Sequence, residues 1–247
     1  MFVSDWGTGR ITVYDLSLRF ERTQLSQYPP SLVLPDGSFV IADQIRARRD
    51  IGYPIHTVDP SGRLLRSFGT GTPQYSSDMR LIANRLVAAA SSGRVWAAPQ
   101  GRYVIERWNP ATGTLEQRST IESAWFTDIA TWNYDERVRP GSVIESLWEG
   151  DDGLMWVVFR VPDLNWRVPD RANEERVISD EEYKATYDWI IEAVDVGANA
   201  VLATRRFDGI LWVRPPSRVI VSGRVDDQGV ASFEVWVPEL VQKDDTQ

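Results

Sequence analysis

Apolar and polar residues alternate with a period of two through much of this chain, and short turn sequences interrupt the alternation. Successive side chains of an extended strand point to opposite faces, so this period predicts β-strands. Three strand pairs close on turn tripeptides: SLVLPDGSFVIAD (residues 31–43), RLVAAASSGRVWAAP (85–99) and IESLWEGDDGLMWVVF (144–159). A fourth pair, ILWVRPPSRVIVSG (210–223), leads into ASFEVWVP (231–238). A second kind of hairpin occurs four times, each time with a strand that ends in Asp or Asn, a few small residues and a return strand. Its copies are RITVYDLSLRFERT (10–23), PIHTVDPSGRLLRSF (54–68), YVIERWNPATGTLEQRS (103–119) and WIIEAVDVGANAVLATRRF (189–207).

A hairpin recurring at long intervals marks a repeat architecture. With strands labelled a to d from an axis outward, the chain sorts into units at about 1–25, 31–69, 85–120, 143–207 and 210–240. The first unit supplies b, c and d, the next three are complete, and the last supplies a, b and c. The expected fold is all-β: one β-propeller domain over residues 1–247, built of four-stranded antiparallel blades. About five blades of an expected six are then present. This tally leads to the expectation of an N-terminally truncated chain, with a five-bladed ring of irregular ends as the rival. The interval from Asp59 to Asn109 is blade-sized, whereas that from Asn109 to Asp195 is nearly twice as long. We assign the excess to two long connections.

VSDWGTGRITVYD (residues 3–15) resembles the NHL-repeat pattern, in which a Val-x-Asp strand end and a short turn lead to Arg-Ile-x-Val-aromatic-Asp. The second unit keeps both ends of that pattern, VIAD at 40–43 and TVDPSGRLLRSFG at 57–69. The third and fourth are degenerate, with Pro99 and Phe159 near the place of the strand-end Asp. The whole chain resembles six-bladed propellers of uncharacterised bacterial proteins, many of them exported. The resemblance implies blades and supplies no catalytic residue. It implies an exported or periplasmic location if a signal peptide lies upstream of Met1; a cytosolic protein is the alternative.

Composition narrows the partners. At 247 residues and 43% hydrophobic, the chain can bury a substantial core, and no Pro/Gly/Ser-rich linker divides it. A net charge of -8 argues against a nucleic-acid partner, whose phosphates require a basic face. The absence of cysteine excludes disulfides, thiolate metal sites and a cysteine nucleophile. No apolar run approaches the roughly 18–20 residues of a membrane-spanning helix. Eleven tryptophans are the remaining outlier, and Trp96, Trp108, Trp156 and Trp236, each in a β-patterned run, are expected to wedge between blades.

Strands of a meander alternate in direction, so a–b and c–d turns share one rim while b–c and d–a connections share the other. The first rim is uniformly tight. The second is expected to gather residues 44–54, 70–84, 121–141 and the insertion 160–188, which is partly helical near 163–188. Loops beyond about 12–15 residues are usually functional or disordered, so this rim is the expected working face. Arg46, Arg48 and Arg49 are candidates for anion binding, or else are solvated or paired with the acidic insertion. Trp125, Trp132, Tyr134 and Trp166 are candidates for stacking on a sugar or aromatic ligand, or else fill small cores within their own loops. SDEEYKATYDWI, with Ser179 as N-cap and acids in the first turn, predicts a short helix.

Catalytic chemistry is sparse. His56 is the only histidine, so a multi-histidine metal site is excluded, and no Gly-x-Ser-x-Gly elbow accompanies it. A structural His56 is the expectation. No cofactor is implied, although a Ca²⁺ site built from carboxylates stays open, with Asp5 and Asp43 as candidates for it or for turn capping. The favoured reading is a non-enzymatic propeller that binds a small ligand or protein partner through the b–c and d–a loop face. The alternatives are a Ca²⁺-type lactonase or gluconolactonase-like hydrolase, and a structural scaffold for protein assembly.

Overall fold

The computed structural model describes residues 2–5, 10–14, 17–25, 30–42, 52–69, 84–129, 137–168, 180–213, 218–225 and 230–241. Eighteen strands among them form five antiparallel sheets, each a meander of sequence neighbours. The first sheet holds β1 (Phe2–Asp5), β2 (Arg10–Tyr14) and β3 (Phe20–Leu25). The second holds β4 (Leu32–Val33), β5 (Phe39–Ile41), β6 (Ile55–Val58) and β7 (Leu64–Phe68). The third runs β8 (Arg85–Ala89), β9 (Val95–Pro99), β10 (Val104–Asn109) and β11 (Thr114–Thr120). The fourth is made of β12 (Val143–Glu149), β13 (Met155–Pro162), β14 (Tyr187–Asp195) and β15 (Ala200–Asp208). A single described helix, α1 (Asp180–Thr186), precedes β14. The fifth sheet holds β16 (Leu211–Val213), β17 (Ile220–Val225) and β18 (Ala231–Trp236).

Burial follows position within a sheet. Strand β14 is buried on both faces through Val194, whereas the fourth strands β11 and β15 are largely exposed. The first strands β4, β8 and β12 approach one another, which puts them innermost. Three hydrophobic cores lie between neighbouring sheets. Leu32, Val40, Ile55 and Phe68 meet Val87, Val95, Ala97 and Trp108. Trp96, Ala98 and Ile105 meet Ile144, Leu147, Val157 and Phe159. Trp148, Trp156, Trp189 and Ile191 meet Leu211 and Ile220. Sheets packed face to face about their inner strands make a β-propeller.

Trp96, Trp108 and Trp156 are buried in these three cores as the sequence leads one to expect, and Trp236 packs half-buried against the third. A buried aromatic removes about 150–250 Å² from water, worth several kcal/mol at about 25 cal/mol per Å². Two of the indoles are also paired, Trp96 Nε1 donating to Glu149 at 2.7 Å and Trp108 Nε1 to Glu106 at 3.1 Å.

The recurring Asp or Asn has a local cause. Asp59 Oδ1 accepts from the Ser61 and Arg63 amides, Asn109 Oδ1 from Ala111 and Thr112, and Asp195 Oδ1 from Ala198. These bonds hold the Asp59 carboxyl down at about 2, the Ser61 hydroxyl being the largest contributor. Immediately before each such residue the pairing slips by one, between Thr57 and Val58, Arg107 and Trp108, and Ala193 and Val194. The same slip separates Val13 from Tyr14 in the first sheet. The repeat is therefore a β-bulge followed by a side-chain-capped turn.

His56 is fully buried mid-strand, its Nδ1 2.8 Å from Ser67 Oγ, in a structural setting. No described helix is long and apolar enough to cross a membrane.

Candidate functional site

The two poles of the fold differ. At one lie the tight turns, four of which close alike: Gly37, Gly62, Gly93 and Gly153 each donate to the carbonyl three residues back. At the other pole described parts of the connection between the third and fourth sheets meet their neighbours. The Ile129 amide donates to the Gly101 carbonyl at 2.9 Å, and Arg139 Nη2 donates to the Asp163 carbonyl at 3.0 Å. The connection between the third and fourth sheets thus touches both the β9–β10 turn and the segment after β13.

Three groups of side chains are assembled around the fourth sheet on this side. The first is aromatic. Trp125 stands edge-on to Phe159, with centroids 4.9 Å apart at 88°, and Tyr103 meets Phe159 at 4.9 Å and 75°. Phe126 completes the group. Beneath it, buried Glu192 accepts from Tyr103 Oη at 2.6 Å, from Thr204 Oγ1 at 3.1 Å and from the Trp125 indole. Burial raises the Glu192 carboxyl above its ordinary range, with these donors partly offsetting it. Burial, then the adjacent Glu192, raises the Tyr103 hydroxyl far above its own.

The second group is acidic. Asp163 follows the end of β13, Asp188 stands near the start of β14 and Asp208 ends β15. The register pairs Asp188 with Val161 on one side and with Asp208 on the other, which brings the three together. One carboxylate oxygen of each lies within 4.8 Å of the other two. Arg206 Nε donates to Asp188 Oδ2 at 2.6 Å, and its Nη2 to the Pro162 carbonyl at 2.7 Å. Desolvation raises the Asp188 carboxyl, the Arg206 guanidinium opposes this, and Asp163 and Asp208 add to it.

The third is a cleft of about 610 Å³ between the fourth and fifth sheets. Phe207 and Trp236 form an aromatic wall, with ring centroids 5.3 Å apart. The Arg205 guanidinium sits 4.9 Å from the Phe207 centroid, and Lys184 of α1, Asp208 and Glu234 supply the other charges. Gly209, at φ 120, turns the chain from β15 into β16 at the cleft wall, a conformation that favours glycine.

Of the residues expected from the sequence, Trp125 lies in the aromatic group. Trp166 is half-buried beyond β13, its amide donating to the Asp163 carbonyl at 3.2 Å. Arg46, Arg48, Arg49, Trp132, Tyr134 and Asp43 lie outside the described residues, as does the Asp5 side chain. The insertion is narrower than expected, because β13 continues to Pro162 and β14 begins at Tyr187. Asp163, Asp188 and Lys184 fall within the insertion 160–188, and neither they nor Asp208, Arg205 and Trp236 stand out in the sequence as site residues. Matching strand ends across one blade would have found the three aspartates.

No protein-family model matches the chain. No curated protein matches it either. Solved structures do. A member of the DUF4221 family from Bacteroides vulgatus superposes with TM-score 0.55 at 8% identity, over 96% of this chain and 75% of that one. A putative exported protein from Bacteroides fragilis gives TM-score 0.49 at 10% identity, over 97% and 77%. Virginiamycin B lyase from Staphylococcus aureus gives 0.41 at 11% identity, over 97% and 81%. At 8% identity the first of these likenesses extends to the fold, a β-propeller, and stops there.

Proposed function

We propose that this protein is a non-enzymatic propeller that binds a small ligand at its irregular pole, in the cleft between the fourth and fifth sheets. The observation carrying this reading is the cleft, whose volume of about 610 Å³ falls in the range of small-molecule sites, about 300–1,000 Å³. The Phe207–Trp236 wall suits a flat apolar face such as a sugar or aromatic ring, and Lys184 with Arg205 suits an anionic edge. The carboxylates of Asp208 and Glu234 can accept from hydroxyl groups of the same ligand.

Ligand-detected NMR against sugar acids, aromatic carboxylates and neutral sugars tests this. The expected hits bind the wild type and lose about tenfold or more in affinity in Trp236→Ala and Lys184→Glu, since each anchoring contact contributes on the order of 1.4 kcal/mol. Hits whose affinity both variants leave intact would place binding elsewhere and sink the reading.

A further inference from the structure

We infer that Asp163, Asp188 and Asp208 form a binding site for a calcium-sized divalent cation. The β13–β14–β15 pairing fixes the backbones of Asp188 and Asp208, and the Asp163 amide donates to the Thr186 carbonyl at 2.9 Å, so the cluster belongs to the sheet ends. Oxygens within 4.8 Å of one another fit a shared ion, because ligands on opposite sides of Ca²⁺ at about 2.3–2.6 Å are separated by about 4.6–5.2 Å. Mg²⁺ requires about 2.0–2.1 Å and a near-ideal octahedron, a stricter demand on three side chains from three strands.

The decisive observation is separate from the clustering. The Asp188 side chain is 5% exposed, and its Oδ1 has no hydrogen-bond partner among the described residues. A buried carboxylate oxygen without a donor is costly, and a hard cation is the partner that oxygen ligands alone can satisfy. The described neighbouring donors are already engaged, none of them with Asp188 Oδ1. Arg206 holds Asp188 Oδ2 and the Pro162 carbonyl, Arg139 holds the Asp163 carbonyl, and the Asn165 amide donates to Asp163 Oδ1. Among the described residues Arg206 is the one guanidinium paired with these three carboxylates, which leaves negative charge for a divalent ion to offset. Lys184 and Arg205 line the same cleft as Asp208, and neither is paired with it. Asp208 is exposed and lines the cleft, which gives the ion a path from solvent and leaves room for water ligands. The site lies on the second to fourth strands of its blade, away from the propeller axis.

Calorimetry of the full chain with CaCl₂ alone, near neutral pH, tests the inference. One saturable site is expected, with Kd on the order of 10⁻⁵ to 10⁻³ M and weaker binding of Mg²⁺. Asp208→Asn, a change at an exposed position, is expected to weaken binding about tenfold or more with an unaltered circular dichroism spectrum, as loss of an oxygen ligand should. Asp152→Asn, at the opposite pole, is the control expected to bind as the wild type does. Absence of both saturable heat and a melting shift up to about 10 mM Ca²⁺, beyond even the weak extracellular modules, would overturn the site. So would an Asp208→Asn affinity equal to that of the wild type. Because the probe is the ion itself, failure here leaves the cleft reading standing, and failure of the cleft variants leaves this site standing.

Discussion

A single buried carboxylate, Glu192, ties the third and fourth blades together. Tyr103 reaches it from the third sheet, Thr204 from β15 and Trp125 from the connection between sheets. Tyr103→Phe removes the 2.6 Å donor and leaves Glu192 Oε2 short of a partner, so it is expected to cost about 1–3 kcal/mol in urea denaturation. Glu192→Gln keeps the acceptor for Tyr103 and removes the charge. A carboxyl raised by folding holds its proton more tightly in the folded state. Its contribution to stability is therefore present below the ordinary carboxylate range and declines as pH rises through the folded value. The variant is expected to melt above the wild type at pH about 8, with the gap closing toward pH about 4. A gap that widens on acidification would reverse the assignment. Nothing in the sequence separates Glu192 from the other acids. WIIEAVD shows a polar residue in an apolar run, but its partners lie far away along the chain, at Tyr103 and Trp125.

Strands and turns were the most legible level, because they depend on neighbours in sequence. Turn chemistry and period-two patterning located the five meanders, and the repeat's Asp59, Asn109 and Asp195 are turn caps. The bulge before it was not visible, since a slip in register depends on the partner strand. These turns offer a graded test. Gly93 (φ +73) has open space where a Cβ would stand, so Gly93→Ala carries only the left-handed backbone cost, about 1–2 kcal/mol. At Gly113 (φ +72) a Cβ would stand 2.8 Å from Arg66 Cδ and 3.3 Å from Phe68 Cβ on the neighbouring blade. Gly113→Ala is therefore expected to lower the melting temperature further than Gly93→Ala does; equal losses would mean that the second sheet yields freely there.

Across the whole molecule, the fifth sheet stands apart. Trp148 of β12 is 3% exposed beneath it, whereas Trp212 of β16 is 46% exposed on its far face, beside Phe233 at 63% and Val235 at 66%. The Trp212 and Phe233 rings lie tilted at 50° with centroids 5.8 Å apart, both exposed. Apolar patches of this kind mark interaction surfaces or aggregation liabilities. Phe233→Ser with Val235→Thr is expected to reduce self-association in sedimentation velocity, while the melting temperature moves little, as for exposed positions generally. Unchanged association would show that the patch is not sticky. The architecture at this scale was legible because a repeated unit announces itself. The cleft and the aspartate cluster were not, because they arise where unlike segments meet.

Every described sheet pairs only strands that follow one another along the chain. A nascent polypeptide can therefore finish each blade soon after its last strand leaves the ribosome, without waiting for distant sequence. Maturation then consists of stacking ready-made sheets in order of synthesis. Amide exchange in the native state should release protons sheet by sheet, with β13 and β14, covered on both sides, the last to open.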